Sequence, residues 1–345
     1  MEIDNREVSE SAPTYIIAEA ASNHDGSLKQ AKELVDVAAD SGADAVKFQT
    51  FRAESMYTPD ETNEDIYETI AEAEMPYDWI PELAEYCESN DIHFMSSPFD
   101  EESVDKLDPY VPAYKIASSV LSHLPLLEYV AEKGKPIIAS TGAHEKSEVE
   151  EAVSVLKDAG TEDIVLLHCV SAYPTPLEEI NVRAIRSLEE SFDVPVGFSD
   201  HTLDPTIAPA SAVSHGASVI EKHFTIDSSL EGMDHSHSLE PDELAKMVEV
   251  IRDTKRAQGD GDIGIQDVER DWHENAKRTV QTVRQIDRGE TISQNDIDIL
   301  RSGDNERGIE PKFYNQIIGT TATEKIGAGE GIHWATIDIN PEDVQ

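Results

Sequence analysis

Tyr15-Ile-Ile-Ala-Glu-Ala20, Leu28-Lys-Gln-Ala-Lys-Glu-Leu-Val-Asp-Val-Ala-Ala-Asp-Ser41 and Ala45-Val-Lys-Phe-Gln49 follow one another near the start of the chain. The first and last are short, β-rich apolar runs, the pattern of strands buried on both faces. Between them Leu34, Val35, Val37 and Ala38 recur at helix-compatible spacing, and Gly42 ends the helix. Strand, helix, strand is the unit of a parallel sheet. The unit repeats down the chain. Further strands are predicted at His93 to Ser97, Ala113 to Ala117, Pro136 to Ser140, Ile164 to Cys169, Val194 to Phe198 and Ser218 to His223. Amphipathic segments such as Val149 to Ala159, closed by Gly160, lie between them. Eight strands, each followed by a helix-length segment, predict an α/β fold, a closed (β/α)8 TIM barrel over residues 1–258. An open doubly wound sheet competes. It usually carries a glycine-rich phosphate loop after its first strand, and Glu19-Ala-Ala-Ser-Asn-His-Asp-Gly26 is no such loop.

After the helix near Glu243 to Gln258, the run Gly259-Asp-Gly-Asp-Ile-Gly264 opens a linker, taken as 259–278. Residues 279–345 turn to short strands and turns with an internal echo. Ile286-Asp-Arg-Gly-Glu-Thr-Ile292 recurs as Ile326-Gly-Ala-Gly-Glu-Gly-Ile332, and Ile297-Asp298 as Ile337-Asp338. Two similar strand-turn units packed into one small β-rich domain are predicted.

The balance of 27 basic against 71 acidic side chains, −44 overall, argues against nucleic acid and anionic membranes as partners. The acids are scattered along the whole chain and Lys is scarce, a pattern that fits adaptation to a very salty cytoplasm, where screening tolerates the repulsion. No apolar run reaches the roughly 20 residues of a membrane span. Met1 to Pro13 lacks the basic start and apolar stretch of a signal peptide. Only two cysteines occur, Cys87 and Cys169, each in an apolar stretch, so a reducing cytoplasm is expected.

Chemistry is expected where the strands end, because the C-terminal strand ends of such a barrel face its active site. Those ends supply Glu19, Lys47, Gln49, Ser96, Ser97, Lys115, Ser118, Ser140, Thr141, His168, Ser171, Ser199, His201, Glu221 and His223. Lys47 and Lys115, two ammonium groups among hydroxyl donors, suit a small anion such as a phosphate or carboxylate. A rival reading makes one of them a Schiff-base lysine, as in an aldolase. His201 and His223, from adjacent strand ends, are able to ligate one divalent ion with positions left open. His168 lies inside its strand and is expected to hydrogen-bond within the barrel. Gly232-Met-Asp-His-Ser-His-Ser238 brings Asp234, His235 and His237 on a loop over the mouth, either a solvated turn or a lid. Glu19 suits proton transfer or the orienting of water, and an ion pair with a site lysine is compatible with both.

These residues fall in motifs that resemble the sialic acid synthase (N-acetylneuraminate synthase) family. They are Ile17-Ala-Glu-Ala-Ala-Ser-Asn-His-Asp-Gly-Ser27, Gly42-Ala-Asp-Ala-Val-Lys-Phe-Gln-Thr50, Ser97-Pro-Phe-Asp100, Tyr114-Lys-Ile-Ala-Ser118, Ser140-Thr-Gly142, His168-Cys-Val-Ser-Ala-Tyr-Pro-Thr-Pro176, Phe198-Ser-Asp-His-Thr202 and Glu221-Lys-His-Phe-Thr225. The tail resembles the antifreeze-like domain that ends these enzymes. The resemblance implies a metal-dependent transferase that condenses phosphoenolpyruvate with N-acetylmannosamine or a related N-acyl hexosamine and releases phosphate. A legionaminic-type acid synthase, acting on a diacetamido-trideoxy hexose, is the close alternative. By resemblance, Lys47, Ser97, Lys115, Ser118, Ser140, Ser171 and Ser199 hold phosphoenolpyruvate. His201 and His223 hold Mn²⁺ or Mg²⁺, and Glu19 and Asp234 join them as catalytic groups. Gln49, Tyr173, Asp234 and Arg301 or Arg307 contact the sugar, the arginine coming from the small domain of a partner in a domain-swapped homodimer. The chain departs from the family where Val120 replaces a frequent glutamate, where Ser171 replaces an asparagine of some members, and where the arginine loop reads Arg301-Ser-Gly-Asp-Asn-Glu-Arg-Gly-Ile309.

Overall fold

The computed structural model describes residues 1–58 and 64–339, so residues 340–345 of the expected small domain lie outside the described residues. Eight parallel strands form one sheet: β1 Tyr15–Ala21, β2 Ala45–Thr50, β3 His93–Pro98, β4 Tyr114–Ile116, β5 Ile137–Ser140, β6 Ile164–Cys169, β7 Val196–Asp200 and β8 Val219–His223. Their order is β3-β2-β1-β8-β7-β6-β5-β4, and the two end strands lie side by side, so the sheet curls into a nearly closed barrel. The expected TIM-barrel architecture is the one found.

Alternation along the strands separates two cores. Ile16, Ala18 and Ala20 face outward with Val46, Phe48, Phe198 and Ile220 to meet the surrounding helices. Tyr15 and Ile17 face inward with Ala45, Met95, Ile138, Val165, Leu167 and Val219. The helix over Leu28–Asp40 shows how the outer layer is built. Ser27 caps it by accepting from Gln30 N, its buried face is Ala31, Leu34, Val35 and Ala38, and Gly42 at φ +81° turns the chain out of it.

The strands carry the inward face from apolar to polar within a few residues. On β1 the inward sequence is Tyr15, Ile17, Glu19; on β2 it is Ala45, then Lys47; on β8 it is Val219, Glu221, His223. Parallel pairing aligns Glu19 with Lys47 and His223 with Glu19, so the polar layer sits at the C-terminal end. The opposite end is closed by a feature the sequence reading passed over. Glu2–Ile3 and Arg6–Glu7 form a small hairpin whose turn residues Asp4 and Asn5 have φ of 45° and 66°. The hairpin sets Ile3 and Val8 into the inner core. So few apolar residues leave no periodic signal.

The chain divides into two compact units, Met1–Asp260 and Gly261–Gln345. The stretch read as a linker contains a short helix, Arg270–Asn275. Beyond it β9, Arg278–Thr282, pairs antiparallel with β10, Ile297–Arg301. The internal echo has a structural meaning. Ile286 and Ile326 exchange backbone hydrogen bonds of 2.9 Å each way, and Ile286, Ile292, Ile297, Ile326, Ile332 and Ile337 form one core. Gly289 and Gly329 occupy matching turn positions at φ +86° and +80°, which only glycine takes without strain.

Among the described residues no helix is long and apolar enough to cross a membrane. The charge of −44 predicts a stability that depends on screening. Raising KCl from about 0.1 M to about 1 M shortens the Debye length from about 10 Å to about 3 Å. The urea midpoint of unfolding should rise over that range; a flat or falling midpoint would remove the salt-adaptation reading.

Candidate active site

The inward strand ends bring two lysines and two carboxylates into one layer. Lys47 Nζ contacts Glu19 Oε2, lies 3.7 Å from Glu221 Oε2 and donates to Ser97 Oγ at 3.2 Å. Lys115 Nζ donates to Ser140 Oγ at 2.7 Å and to Ile116 O at 3.0 Å, and lies 3.5 Å from Glu221 Oε1. Ser199 Oγ donates to the same Glu221 oxygen at 2.9 Å, and Gln49 Nε2 donates to Glu19 Oε1 at 3.1 Å. Lys47 and Lys115 are 3% and 1% exposed, so neither snorkels to the surface. Glu221, read from sequence only as one polar strand end among many, is the hub of the layer.

Two carboxyls in one enclosure separate in acidity. Burial pushes Glu19 up to about 7, with Lys47 opposing the rise and the Glu221 charge adding to it. Burial also acts to raise Glu221. Lys115, Lys47 and the Ser199 hydroxyl overcome it and hold that carboxyl at about 2. Glu221 is the permanent anion and Glu19 the group poised to gain or lose a proton near neutrality.

Ser118 and Ser171 meet at Gly142. A Cβ on Gly142 would stand 2.5 Å from Ser171 Oγ, 2.8 Å from Ser118 Oγ and 2.9 Å from Cys169 Sγ, so the backbone approach requires glycine. Gly142 N donates to Ser118 Oγ at 3.1 Å, and Ser118 Oγ donates to Cys169 Sγ at 3.5 Å. Ser171 is exposed. Cys169 thus joins Ser118 and Ser171 around Gly142. Its place on the inward face of β6 is the signal for it in the sequence.

The histidines gather on the other side of the mouth. His201 Nδ1 donates to Val170 O at 2.8 Å, which leaves Nε2 as the free nitrogen of the neutral ring. Its ring centroid is 5.6 Å from that of His223 and 4.1 Å from that of Tyr173. Burial pushes His201 down to about 4 and His223 to about 3, so both are neutral imidazoles at pH 7. Donor atoms of His223, Asp234 and His237 lie within 4.8 Å of one another, so His237 joins a neighbourhood that the sequence reading had given to His201 and His223. His168 faces away from this cluster, stacked on Phe198 and hydrogen-bonded to Ile180 O at 2.8 Å.

The loop that carries Asp234 is no solvated turn. His235 is fully buried, with Nδ1 accepting from Thr225 Oγ1 at 2.6 Å and Nε2 donating to Asp25 at 3.1 Å. Ser22 N donates to Asp234 Oδ2 at 3.2 Å. Asn23 Nδ2 donates to Ser238 Oγ at 3.1 Å and to Phe224 O at 2.8 Å. Tyr173 lies against His201, His223 and His237 while remaining half exposed, so it caps the cluster toward solvent. Lys222, a third lysine inside a strand, points to the other face and pairs with Asp200 at 2.8 Å, outside the mouth. In the second unit Arg301 is exposed, 5.4 Å from the Trp272 ring centroid, and Arg307 is half-buried in the loop after β10.

Paired ammonium groups, a buried carboxylate and neutral imidazoles at the C-terminal mouth of a barrel define a TIM-barrel protein equipped to receive a small anionic ligand. The chain belongs to the NeuB family, which it matches over residues 34–263, and it carries a SAF domain over residues 277–338. It is 41% identical to the spore coat polysaccharide biosynthesis protein SpsE of Bacillus subtilis, over 97% of this chain and 96% of that protein. It is 37% identical to N,N'-diacetyllegionaminic acid synthase of Legionella pneumophila, over 94% of each. Among solved structures, N-acetylneuraminic acid (sialic acid) synthetase of Leptospira borgpetersenii in complex with citrate aligns with a TM-score of 0.71 and 36% identity, covering 76% of this chain and 91% of that one. The family resemblance read from the strand-end motifs therefore holds, and the homologues so named are synthases.

Proposed function

We propose that this protein condenses phosphoenolpyruvate with the aldehyde of an N-acyl amino sugar, forming a nine-carbon 2-keto acid and releasing phosphate. The observation that carries the proposal is the buried pair Lys47 and Lys115, bracketed by hydroxyls and set beside the histidine cluster. The acceptor is N-acetylmannosamine or a diacetamido-trideoxy hexose; the named relatives include synthases of both product types.

In this reading the two ammonium groups, with Ser97, Ser140, Ser199 and the Ser118–Gly142–Ser171 cradle, bind the phosphate and carboxylate of the donor. The donor's C3 attacks the aldehyde carbon, and water adds to C2 as the positive charge develops there. Glu19, oriented by Gln49, accepts one proton of that water while the alkoxide formed at the former aldehyde oxygen takes up one in its place. The C2–O bond to phosphate then breaks, and the added hydroxyl becomes the keto oxygen as its proton leaves with the phosphate. Asp234 and Tyr173 line the side where the sugar enters. A divalent ion, Mn²⁺ or Mg²⁺, fits the neutral, partly unpartnered imidazoles of this mouth, and when bound it supplies Lewis-acid polarisation of an aldehyde oxygen.

The test is a phosphate-release assay with phosphoenolpyruvate, Mn²⁺ and a panel of N-acyl hexosamines at high salt. Turnover with at least one of them, lost on adding EDTA, is expected. A borohydride-trapped substrate adduct with EDTA-insensitive activity would instead establish a Schiff-base aldolase. His201→Ala should abolish turnover while leaving the melting temperature within a few degrees of the parent. An active His201→Ala protein would remove His201 from the chemistry. Assembly as a homodimer belongs to the same proposal, supported by the exposed apolar side chains Ile263, Val268 and Trp272 of the second unit. A sedimenting monomer at working concentration would overturn that part.

A further inference from the structure

The loop after β8 brings a second imidazole and a carboxylate to His223. We infer that His237, with His223 and Asp234, forms a three-ligand seat for a divalent cation, an extension of the strand-end pair His201 and His223 that rests on the metal-assisted reading above. One donor atom from each of the three residues lies within 4.8 Å of the other two. An ion held about 2.1 Å from nitrogen and oxygen donors keeps them no more than about 4.2 Å apart. Since adjacent donors on such an ion sit about 3 Å to 3.5 Å apart, the three side chains need to close by at most about 1 Å to 2 Å, within reach of side-chain adjustment.

A second observation points to a ligand rather than to a hydrogen-bonded lid. His223 and His237 are 7% and 8% exposed, and His223 Nδ1 and His237 Nε2 are buried without a hydrogen bond. His237 Nε2 stands 3.5 Å from Asp234 Oδ1, beyond good hydrogen-bond contact. Two residues earlier, His235 shows what a purely structural histidine does in this loop: both its nitrogens are engaged, by Thr225 and Asp25. Buried polar atoms are seldom left unpaired, and an unpaired one calls for an ordered water, an ion or a function.

The seat is also held in place before any ion arrives. Ser22 N fixes one oxygen of Asp234, leaving the other toward His237, and Ser238 Oγ donates to the Asp234 carbonyl at 2.6 Å. Tyr173, with its ring centroid 5.1 Å from that of His237, closes the side toward solvent. Two imidazoles and one carboxylate leave open positions on a six-coordinate ion for water or substrate oxygen. Such nitrogen-containing sets favour Mn²⁺, Co²⁺ or Zn²⁺ over Mg²⁺, which prefers oxygen and keeps its waters.

The test measures binding, without substrate or turnover. Full-length protein, stripped with chelator at high salt, is titrated with Mn²⁺ by calorimetry and with Co²⁺ by visible absorption. His237→Ala and the bulkier His237→Gln should each raise the Mn²⁺ dissociation constant at least about tenfold, since even groups that only support a ligand cost that much when removed. Both should also alter the Co²⁺ spectrum. The metal-free His237→Gln protein, which keeps a polar side chain of similar reach beside Asp234, should melt close to the stripped parent, so a weaker Mn²⁺ affinity in that variant is not a loss of fold. Unchanged Mn²⁺ affinity and Co²⁺ spectrum in both variants, with loss confined to His201→Ala and His223→Ala, would overturn the role of His237 and leave the strand-end pair as the seat. A parent protein that binds neither ion would overturn this inference together with the metal-assisted reading.

Discussion

Glu221→Gln is expected to destabilise the ligand-free protein by about 3 kcal/mol, the lower end of what removing one partner of a buried ion pair costs. The variant should recover much of the loss in added phosphate. Glu221 stands 3.5 Å from Lys115 and 3.7 Å from Lys47 and accepts a 2.9 Å hydrogen bond from Ser199. Glutamine keeps the shape and can still accept from Ser199, but leaves two buried ammonium groups facing Glu19 alone. The loss should not reach the upper end, because the Glu221 charge is one of the causes that raise Glu19, and its removal lets Glu19 ionise more fully. A small anion that binds only the folded state stabilises it by mass action. Phosphate should therefore raise the melting temperature of Glu221→Gln by more than that of the parent. Equal melting temperatures and equal phosphate responses would show that this carboxylate is not what neutralises the lysines.

Glu19→Gln is expected to lower kcat by about 10²- to 10⁴-fold, the usual range for a lost general base, while leaving the fold at least as stable at pH 7. With its carboxyl at about 7, the parent's rate should rise with pH through that value and level off above it, since the ionised form is the base. The variant should show no such limb. Stability carries the opposite sign. The folded protein holds this proton up to about pH 7, whereas the unfolded chain releases it near 4.5. The parent accordingly loses stability as pH rises from about 4.5 to about 7, and the glutamine variant should lose less over that window. Activity and stability thus move apart, which separates a lost base from a damaged fold. A variant that keeps the acidic limb would assign that limb to another group.

Much of this site is legible along the chain. The barrel follows from eight apolar runs alternating with helix-length segments, because burial on both faces makes a strand apolar almost throughout. Where a strand breaks that rule at its C-terminal end, the break marks the mouth, which is how Glu19, Lys47, Lys115, Ser140, Ser199, His201 and His223 stand out. The period of two within a strand also places Glu221 between Val219 and His223 on the inner face, and it turns Lys222 outward to Asp200. The paired isoleucines at 286 and 326 likewise follow from a repeat visible in the sequence.

The opening motif shows where such reading stops. Tyr15 to Gln49 by itself determined a strand, a helix and a strand with Glu19 and Lys47 near their ends. That Glu19 holds its proton to about 7 while Glu221 gives its up depends on which strand closes against β1 and on how many charges the closed layer shares. The division of labour between His235 and His237 is likewise tertiary. Two histidines two residues apart look alike in sequence, yet one has both nitrogens engaged by Asp25 and Thr225 while the other faces Asp234, His223 and the Tyr173 ring. Ser22 and Asp234 are 212 positions apart and come into contact only when the barrel closes. Residue types and their period are local properties of a chain. Burial, the sharing of charge and the orphaning of a nitrogen are properties of the packed interior, and packing decided them.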